Sequence, residues 1–335
     1  MYNREEVLEA LHNKNNKVTP VSFWRHFAPD EFVDALSEPS VVQTNIEGLR
    51  KYVQDVHPDF VKLMTDGYFQ YPMLKVADIH DSSSLQQLEN LPEDHPWLTG
   101  QAELVKKQIA VVEGRVTFYN VFSPLTVLKW ALIGYHSADL AQADRLLADL
   151  YEQDPDGLKE VLLKIGADVK KQIKIATDNG ADGIYYSTQS IQDSRTDNKT
   201  FFKEIQEVVD LDVIEQINSC SDLNILHICG FAGATNHLEW FKDYPLQIIN
   251  WATHVDKCSL SEGKKLFAGK VVLGGFGNTD EDILYAGTKQ QIQEEVKRII
   301  EDAGKEGVII GADCTILRDT PVEHLLWAED ATHTL

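Results

Sequence analysis

Short apolar runs alternate along the chain with amphipathic stretches whose apolar residues recur at helical spacing. Short runs rich in β-branched and aromatic residues, bounded by polar or Gly-containing turns, predict buried strands. Eight strands are predicted, at Pro20–Trp24, Asp59–Met64, Val116–Phe122, Gly183–Ser187, Asn224–Cys229, Gln247–Trp251, Val271–Phe276 and Val308–Cys314. The clearest helical patterns cover Ala138–Gln153, Gly157–Thr177, Phe201–Ser219 and Lys289–Ala303.

Regular alternation of strands and helices predicts a parallel (β/α)8 TIM barrel, formed as a single domain over residues 1–335. An open doubly wound sheet is the alternative, although no G-x-G-x-x-G motif follows the first predicted strand. Residues 79–114 are polar and long for a connection, which indicates a helical excursion between the second and third predicted strands.

Three soft metal donors fall at strand ends on the rim where such barrels carry their chemistry. His227 and Cys229 are two residues apart on one predicted strand, so both side chains point to the same face. Cys314 ends another predicted strand, 85 residues after Cys229. One His and two Cys predict a catalytic zinc site with one open coordination position. The alternative is a core His beside two buried free thiols.

Other strand-end residues are weaker candidates for catalysis or binding. Asp66 is a candidate acid or base, or alternatively a helix cap. Arg25 is a candidate for binding an anionic group, or alternatively an exposed residue after an aromatic strand. The residues that we expect to bind a planar cofactor are Gly274, Gly275, Asn278 and Tyr68, although glycines also suit tight turns and aromatic residues also suit the core.

Composition and charge exclude some classes of partner. The net charge of −22 and pI near 4.8 argue against nucleic acid or anionic membrane as a partner. No apolar run is long enough for a membrane span, and no secretory leader is visible. Four irregularly spaced Cys indicate reduced thiols, so we expect a cytoplasmic protein.

The chain resembles the uroporphyrinogen decarboxylase superfamily, which implies a (β/α)8 barrel. The stretches that carry the resemblance are Pro20–Phe27, Gly180–Gly183, His227–Gly230, Val271–Asn278 and Gly311–His324. The decarboxylase branch is metal-free and grips its carboxylate-rich substrate with an arginine-rich segment. Here that segment keeps only Arg25, and Ala312-Asp313-Cys314 replaces a Gly-His-Gly near the last strand. Both departures disfavour the decarboxylase.

The second branch comprises corrinoid-dependent thiol methyltransferases, in which His-x-Cys and a later single Cys ligate zinc. The resemblance therefore implies that His227, Cys229 and Cys314 bind zinc and that a methylcorrinoid donates a methyl group to a small thiol. No Asp-x-His-x-x-Gly corrinoid motif occurs, so the corrinoid would be free or carried by a partner corrinoid protein. A uroporphyrinogen decarboxylase-like carboxy-lyase and a non-catalytic corrinoid- or tetrapyrrole-binding barrel remain alternatives.

Overall fold

Seven parallel strands form one sheet in the computed structural model, which describes residues 2–14, 17–75, 79, 81–135 and 139–335. Each strand pairs in parallel with the next along the chain, so the sheet order is the sequence order. The strands are β1 (Phe60–Leu63), β2 (Val116–Phe122), β3 (Gly183–Gln189), β4 (Ile225–Cys229), β5 (Ile248–Trp251), β6 (Val271–Phe276) and β7 (Val308–Ala312). Seven of the eight predicted strands are confirmed.

Apart from β4 and β5, between which lie two short 3-10 helices at Phe231–Gly233 and Leu238–Phe241, successive strands are separated by α-helices, as the alternating pattern predicts. Those of the described residues are α1 (Arg4–Leu11), α2 (Ser40–Val56), α3 (Ser82–Gln86), α4 (Pro96–Ile109), α5 (Pro124–Leu132), α6 (Leu140–Gln153), α7 (Pro155–Asp178), α8 (Lys199–Phe201), α9 (Glu207–Cys220), α10 (Leu260–Leu266), α11 (Ile283–Ala286), α12 (Lys289–Ala303) and α13 (Val322–Thr334). A π-helical turn, Phe202–Gln206, joins α8 to α9. Ala138, predicted to begin a helix, lies outside the described residues.

The first predicted strand, Pro20–Trp24, is an extended segment rather than a regular strand. Val21 forms a single parallel bridge with Ile310 of β7, and Asp59 N donates to the Val21 carbonyl at 3.2 Å. Two features interrupt a longer ladder. Pro20 has no N–H, and Val21 N donates to the Asp59 carboxylate at 2.9 Å instead of to a strand carbonyl. The segment therefore contacts β7 and the start of β1 without extending the regular sheet.

Side chains on the inner face of the curled sheet lie in successive layers. The layer at the start of the strands is apolar and belongs to a buried cluster. The next layer, two residues further along the strands, is polar and includes Lys62, Asn120, Ser187, His227 and Asn250. Parallel strands point their carboxyl ends to one edge, so these polar side chains gather at that edge.

The long connection between β1 and β2 contains α3 and α4, in the region where the sequence predicts a helical excursion over 79–114. Residue 80 of that region lies outside the described residues.

Among the described residues, every helix is too short or too polar to cross a bilayer.

Candidate metal centre

Strand β4 brings two donor side chains to the inner face of the sheet. His227 and Cys229 follow Ile225 at intervals of two residues, and Ile225 belongs to the apolar inner cluster. Because side chains alternate between the faces of a strand, all three point inward. His227 is 2 % exposed. The imidazole and the thiol therefore lie side by side, as the spacing predicts.

The third donor belongs to the turn that follows β7. Asp313 N donates to the Phe276 carbonyl at 2.8 Å, which extends the pairing of β7 with β6 by one bond. The Asp313 carboxylate accepts hydrogen bonds from Thr253 Oγ1 at 2.6 Å and from His254 N at 2.9 Å. These bonds hold the turn against the ends of β5 and β6, so Cys314 is fixed facing β4.

The three donor atoms have the spacing of a tetrahedral metal site. Cys314 Sγ lies 3.4 Å from His227 Nε2 and 3.9 Å from Cys229 Sγ, and the donor atoms all lie within 4.8 Å of one another. Ordinary zinc–ligand bonds at tetrahedral angles give edges of roughly 3.5 Å between nitrogen and sulfur and roughly 3.8 Å between sulfurs. The side chains could therefore hold such an ion with little movement.

Asn250 of β5 fixes the orientation of His227. The Asn250 amide nitrogen donates to the carbonyls of Leu273 at 2.9 Å and Ala312 at 3.2 Å, so its oxygen faces the histidine. That oxygen also accepts a hydrogen bond from Tyr185 Oη at 2.7 Å and lies 2.6 Å from His227 Nδ1. Nδ1 therefore carries the proton. Nε2, the nitrogen that faces Cys314, keeps a lone pair for a metal.

The two thiols form a coupled pair. The hydrogen bond from Cys229 lowers the pKa of Cys314 well below its usual value, with a further contribution from His227, although burial opposes the shift. The same hydrogen bond and burial raise the pKa of Cys229. A bound cation would replace the proton that the sulfurs share, since thiolates and not thiols are the metal ligands.

A cavity of about 320 Å³ opens on the three donors. This volume is in the range of small-molecule sites. Part of its wall is aromatic and part is polar. The aromatic residues are Phe32, Phe69, Phe122, Trp130 and Phe231, and the polar ones include Thr65, Asn120, Ser187, Thr188 and Gln189.

Two of the weaker sequence candidates, Asp66 and Asn278, line this cavity. Asp66 Oδ1 lies 2.7 Å from His26 Nδ1, and its other oxygen accepts a hydrogen bond from Phe27 N at 3.0 Å. Burial alone would raise the pKa of Asp66, but its hydrogen bond with His26 holds that pKa below the ordinary value. Asn278 Nδ2 donates to the Thr315 carbonyl at 3.1 Å, next to the turn that carries Cys314.

Arg25 does not line this cavity. Its guanidinium donates to the carbonyls of Arg318 and Thr320, both at 3.1 Å. The charged group also lies 5.4 Å from the centre of the Tyr52 ring. Arg25 thus ties the segment after the first predicted strand to the loop before α13.

Tyr68, Gly274 and Gly275 also lie away from the lining of the cavity. Tyr68 packs against Gly100 of α4, where a Cβ would lie 2.3 Å from the Tyr68 hydroxyl. Gly274 and Gly275 have φ angles of +149° and +113°, which side-chain-bearing residues rarely adopt. A Cβ on Gly275 would also lie 2.8 Å from Ile299 of α12. Backbone conformation and helix packing account for these two glycines.

Two residues of the centre are not singled out by the sequence patterns. Asn250 and Lys62 each interrupt a short apolar strand, Ile248–Trp251 and Phe60–Leu63. A lone polar residue inside a buried strand is the available signal, because it must find a partner in the interior. The pattern cannot name that partner, which comes from another strand.

Comparison with known proteins identifies the family. The model of the family described as uroporphyrinogen decarboxylase (URO-D) matches residues 60–335, most of the chain. The chain belongs to this family. The match begins at β1 and includes all three donors, whereas the segment with Arg25 precedes it. Members named uroporphyrinogen decarboxylase from Geobacter sp. (strain M21) and Citrifermentans bemidjiense are each 23% identical over 269 residues, which cover 80% of this chain and 72% of theirs.

Solved structures show the same fold at low sequence identity. A methyltransferase from Methanosarcina mazei superposes with a TM-score of 0.68 at 15% identity, covering 99% of this chain and 98% of the other. A putative vitamin-B12 independent methionine synthase from Listeria monocytogenes gives a TM-score of 0.57 at 11% identity, with 95% and 98% covered. The relatives and these neighbours are named as enzymes, with both decarboxylase and methyltransferase names among them.

Proposed function

We propose that this protein is a zinc-dependent methyltransferase that moves a methyl group from a methylcorrinoid to a zinc-activated thiol. One observation carries the proposal. One imidazole nitrogen and two sulfurs lie at tetrahedral spacing on the wall of a cavity at the carboxyl end of the sheet. Three protein ligands with an accessible fourth position are typical of catalytic zinc.

His227, Cys229 and Cys314 would hold the metal. Sulfur and imidazole donors favour zinc over magnesium or calcium, which prefer oxygen. Bound there, zinc would lower the pKa of a substrate thiol and keep its sulfur nucleophilic at neutral pH. Asn250 supports this role, because its amide oxygen accepts the hydrogen bond of His227 Nδ1 and leaves Nε2 to face the other two donors.

Other residues of the cavity would position the acceptor and manage its proton. The aromatic wall, including Phe69, Phe122 and Trp130, would shield the bound sulfur from water. We propose Asp66 and His26 as an acid–base pair. The carboxylate fixes one imidazole nitrogen, and the other nitrogen is available for the proton that leaves the thiol.

The cavity of about 320 Å³ is in the size range of small-molecule sites, and we propose that the small thiol fills it. The methylcorrinoid would therefore lie at the opening, either free or carried by a corrinoid protein. Transfer forms a sulfur–methyl bond and breaks the cobalt–carbon bond, whose electron pair stays on cobalt. The four free cysteines support a reducing, cytoplasmic setting.

The comparisons support the proposed methyltransferase function, because one structural neighbour is named a methyltransferase from Methanosarcina mazei. They also favour a second candidate, a uroporphyrinogen decarboxylase-like carboxy-lyase, through the family and its named relatives. Against the second candidate, Arg25 is the single arginine of its segment and its guanidinium already binds two backbone carbonyls. We expect the protein to convert uroporphyrinogen far more slowly than true decarboxylases do.

The test is methyl transfer by zinc-loaded protein under anaerobic conditions. Methylcobalamin is mixed with a panel of small thiols, and its absorption spectrum reports demethylation. We expect the rate to follow zinc occupancy and to disappear in Cys314→Ser but not in Cys220→Ser, which lies at the end of α9. Loaded protein that binds corrinoid and methylates no thiol would favour a binding barrel, and rapid release of CO₂ from uroporphyrinogen would favour the decarboxylase.

A further inference from the structure

We propose that Cys314 and Cys229 form a redox switch, in which hydrogen peroxide oxidises the two thiols to a disulfide when zinc is not bound to them. This thiol chemistry goes beyond the proposed methyl transfer and can be measured without it. Its effect on metal binding rests on the proposed function, because the switch uses two of the three proposed zinc ligands.

His227 is placed to activate the Cys314 thiol. Cys314 Sγ lies 3.4 Å from His227 Nε2, and the Asn250 amide oxygen lies 2.6 Å from His227 Nδ1. Because Asn250 accepts the hydrogen bond of Nδ1, Nε2 is the nitrogen left to accept the Cys314 proton. The same order of Cys, His and Asn activates the thiol of papain-like proteases. The Lys62 ammonium lines the same cavity and adds a positive charge near the two sulfurs, which favours a thiolate.

Cys229 is placed to attack the oxidised sulfur of Cys314. The two sulfurs lie 3.9 Å apart, and both residues line the cavity of about 320 Å³, which has room for a molecule as small as hydrogen peroxide. A disulfide needs the sulfurs to approach to about 2.05 Å. The remaining distance, roughly 2 Å, is the size of movement that a change of cysteine rotamer gives a sulfur.

Oxidation proceeds in two steps whose atoms and electrons balance. The Cys314 thiolate attacks one peroxide oxygen, so a sulfur–oxygen bond forms and the oxygen–oxygen bond breaks. The leaving hydroxide takes the proton held by His227 and departs as water, which leaves a sulfenic acid on Cys314. Cys229 sulfur then attacks Cys314 sulfur, and the sulfenic oxygen leaves as a second water with the Cys229 proton. Two thiols are oxidised to one disulfide, and one peroxide is reduced to two waters.

The other two cysteines lack this arrangement. Cys258 Sγ contacts the Ser259 carbonyl at 3.8 Å, and burial raises the pKa of the Cys258 thiol to about 11. Cys220 Sγ contacts Gln216 Nε2 at 3.1 Å and Ser219 Oγ at 3.8 Å. Over the residues that the structure describes, neither sulfur contacts a histidine or a second thiol. Cys258 and Cys220 are therefore internal controls.

Zinc binding and the disulfide exclude each other. Bound zinc takes both thiolates and the lone pair of His227 Nε2, so it removes the attacking sulfur and its base from peroxide chemistry. The disulfide removes two of the three ligands, so the oxidised protein cannot hold the ion. A thiol reductant cleaves the disulfide and restores the ligands. The metal centre is thus closed to zinc after oxidation and open to it after reduction.

Thiol counting and peptide mass spectrometry on zinc-free and zinc-loaded protein test the switch. Hydrogen peroxide should lower the thiol count of zinc-free protein from four to two and link Cys229 to Cys314. We expect this pair to react at least about ten times as fast as Cys258, and bound zinc to slow its oxidation at least about tenfold. Dithiothreitol should restore all four thiols together with zinc binding.

Two variants separate the roles of the cysteines. Cys229→Ser should stop at a sulfenic acid on Cys314, which dimedone traps as an adduct of known mass. Cys314→Ser should leave Cys229 slow to react, because Cys229 has lost the activated partner. His227→Gln should slow oxidation of the pair, since the base is lost. Cys258→Ser leaves the pair intact and should form the disulfide at the wild-type rate.

Zinc-free protein that keeps four thiols, or in which Cys314 reacts no faster than Cys258, would overturn the switch and leave the methyltransferase proposal standing. Disulfide formation at equal rates with and without zinc would overturn the link between the switch and the metal. A protein that forms the Cys229–Cys314 disulfide but binds no zinc when reduced would keep the thiol chemistry and overturn the proposed zinc-dependent function.

Discussion

The two ends of the sheet each gather three residues of metal-ligand type. At the carboxyl end these are His227, Cys229 and Cys314, and at the amino end they are Asp59 before β1 with Glu329 and His333 of α13. In both groups the possible ligand atoms lie within 4.8 Å of one another. Only the first group has soft donors that face a ligand-sized cavity.

The amino-terminal group is engaged in holding the fold together. One Asp59 oxygen lies 2.9 Å from Val21 N and 2.9 Å from His333 Nε2, so this carboxylate joins the first extended segment to the last helix. Tyr2 packs edge-on against the His333 ring, with 4.5 Å between the ring centres. Glu329 is buried beside them, and its pKa is raised to about 8 by burial and by Asp59. Glu329 of this group therefore carries a proton, whereas the group at the carboxyl end would bind a metal.

We infer from this comparison that closely spaced ligand-type residues need further features to bind a metal. The carboxyl end adds donor softness, a lone pair directed by Asn250, and space for a fourth ligand. At the amino end, His333 Nε2 is already hydrogen-bonded to the Asp59 carboxylate.

Loss of one donor at each end gives the sharpest test of this contrast. We expect wild-type protein to bind one zinc per chain, and Cys314→Ser to bind it at least about a hundredfold more weakly, because a thiolate ligand is lost. His333→Asn should keep full zinc affinity, as should Cys220→Ser. Metal analysis after dialysis against a competing chelator measures this. Equal loss of zinc from Cys314→Ser and His333→Asn would show that the two ends do not differ as proposed.

The support given by Asn250 should have the next largest effect. Asn250→Leu removes the acceptor that fixes His227 Nδ1, so we expect zinc affinity or methyl-transfer rate to fall by about ten- to a hundredfold. Tyr185→Phe is the matched control. It removes only the hydroxyl that donates to the same Asn250 oxygen, so its effect should be clearly smaller. An Asn250→Leu protein with unchanged affinity and rate would mean that the histidine needs no such support.

The sequence predicts the grouping of the three candidate donors better than it predicts their surroundings. His227 and Cys229 share a face because strand geometry has a period of two, and this local rule needs no tertiary information. Asn250 and Lys62 act through partners on other strands, which a pattern within one strand cannot supply. The prediction of a regular strand at Pro20–Trp24 is wrong, because the Asp59 side chain takes the Val21 N–H that a ladder would use.

The smallest expected effect concerns proton binding at the amino end. The pKa of Glu329 is about 8 in the folded protein, above the value near 4.5 of a free glutamate. At a pH between these two pKa values, the folded protein therefore binds more protons at Glu329 than the unfolded chain does. The associated stabilisation is complete below pH 4.5 and is lost as the pH rises towards 8.

Glu329→Gln should remove this dependence, because glutamine stays neutral. The free energy of unfolding of Glu329→Gln minus that of wild type should increase from pH 5 to pH 8 by on the order of 1–2 kcal/mol. This is less than the whole shift in the pKa of Glu329 implies, because the carboxyl can partly hydrate. Urea unfolding at both pH values measures this change. Glu323→Gln, at an exposed position of the same helix, should behave like wild type. Parallel pH profiles for wild type and Glu329→Gln would show that Glu329 is not held protonated, and the amino end would then lose the property that separates it from the metal centre.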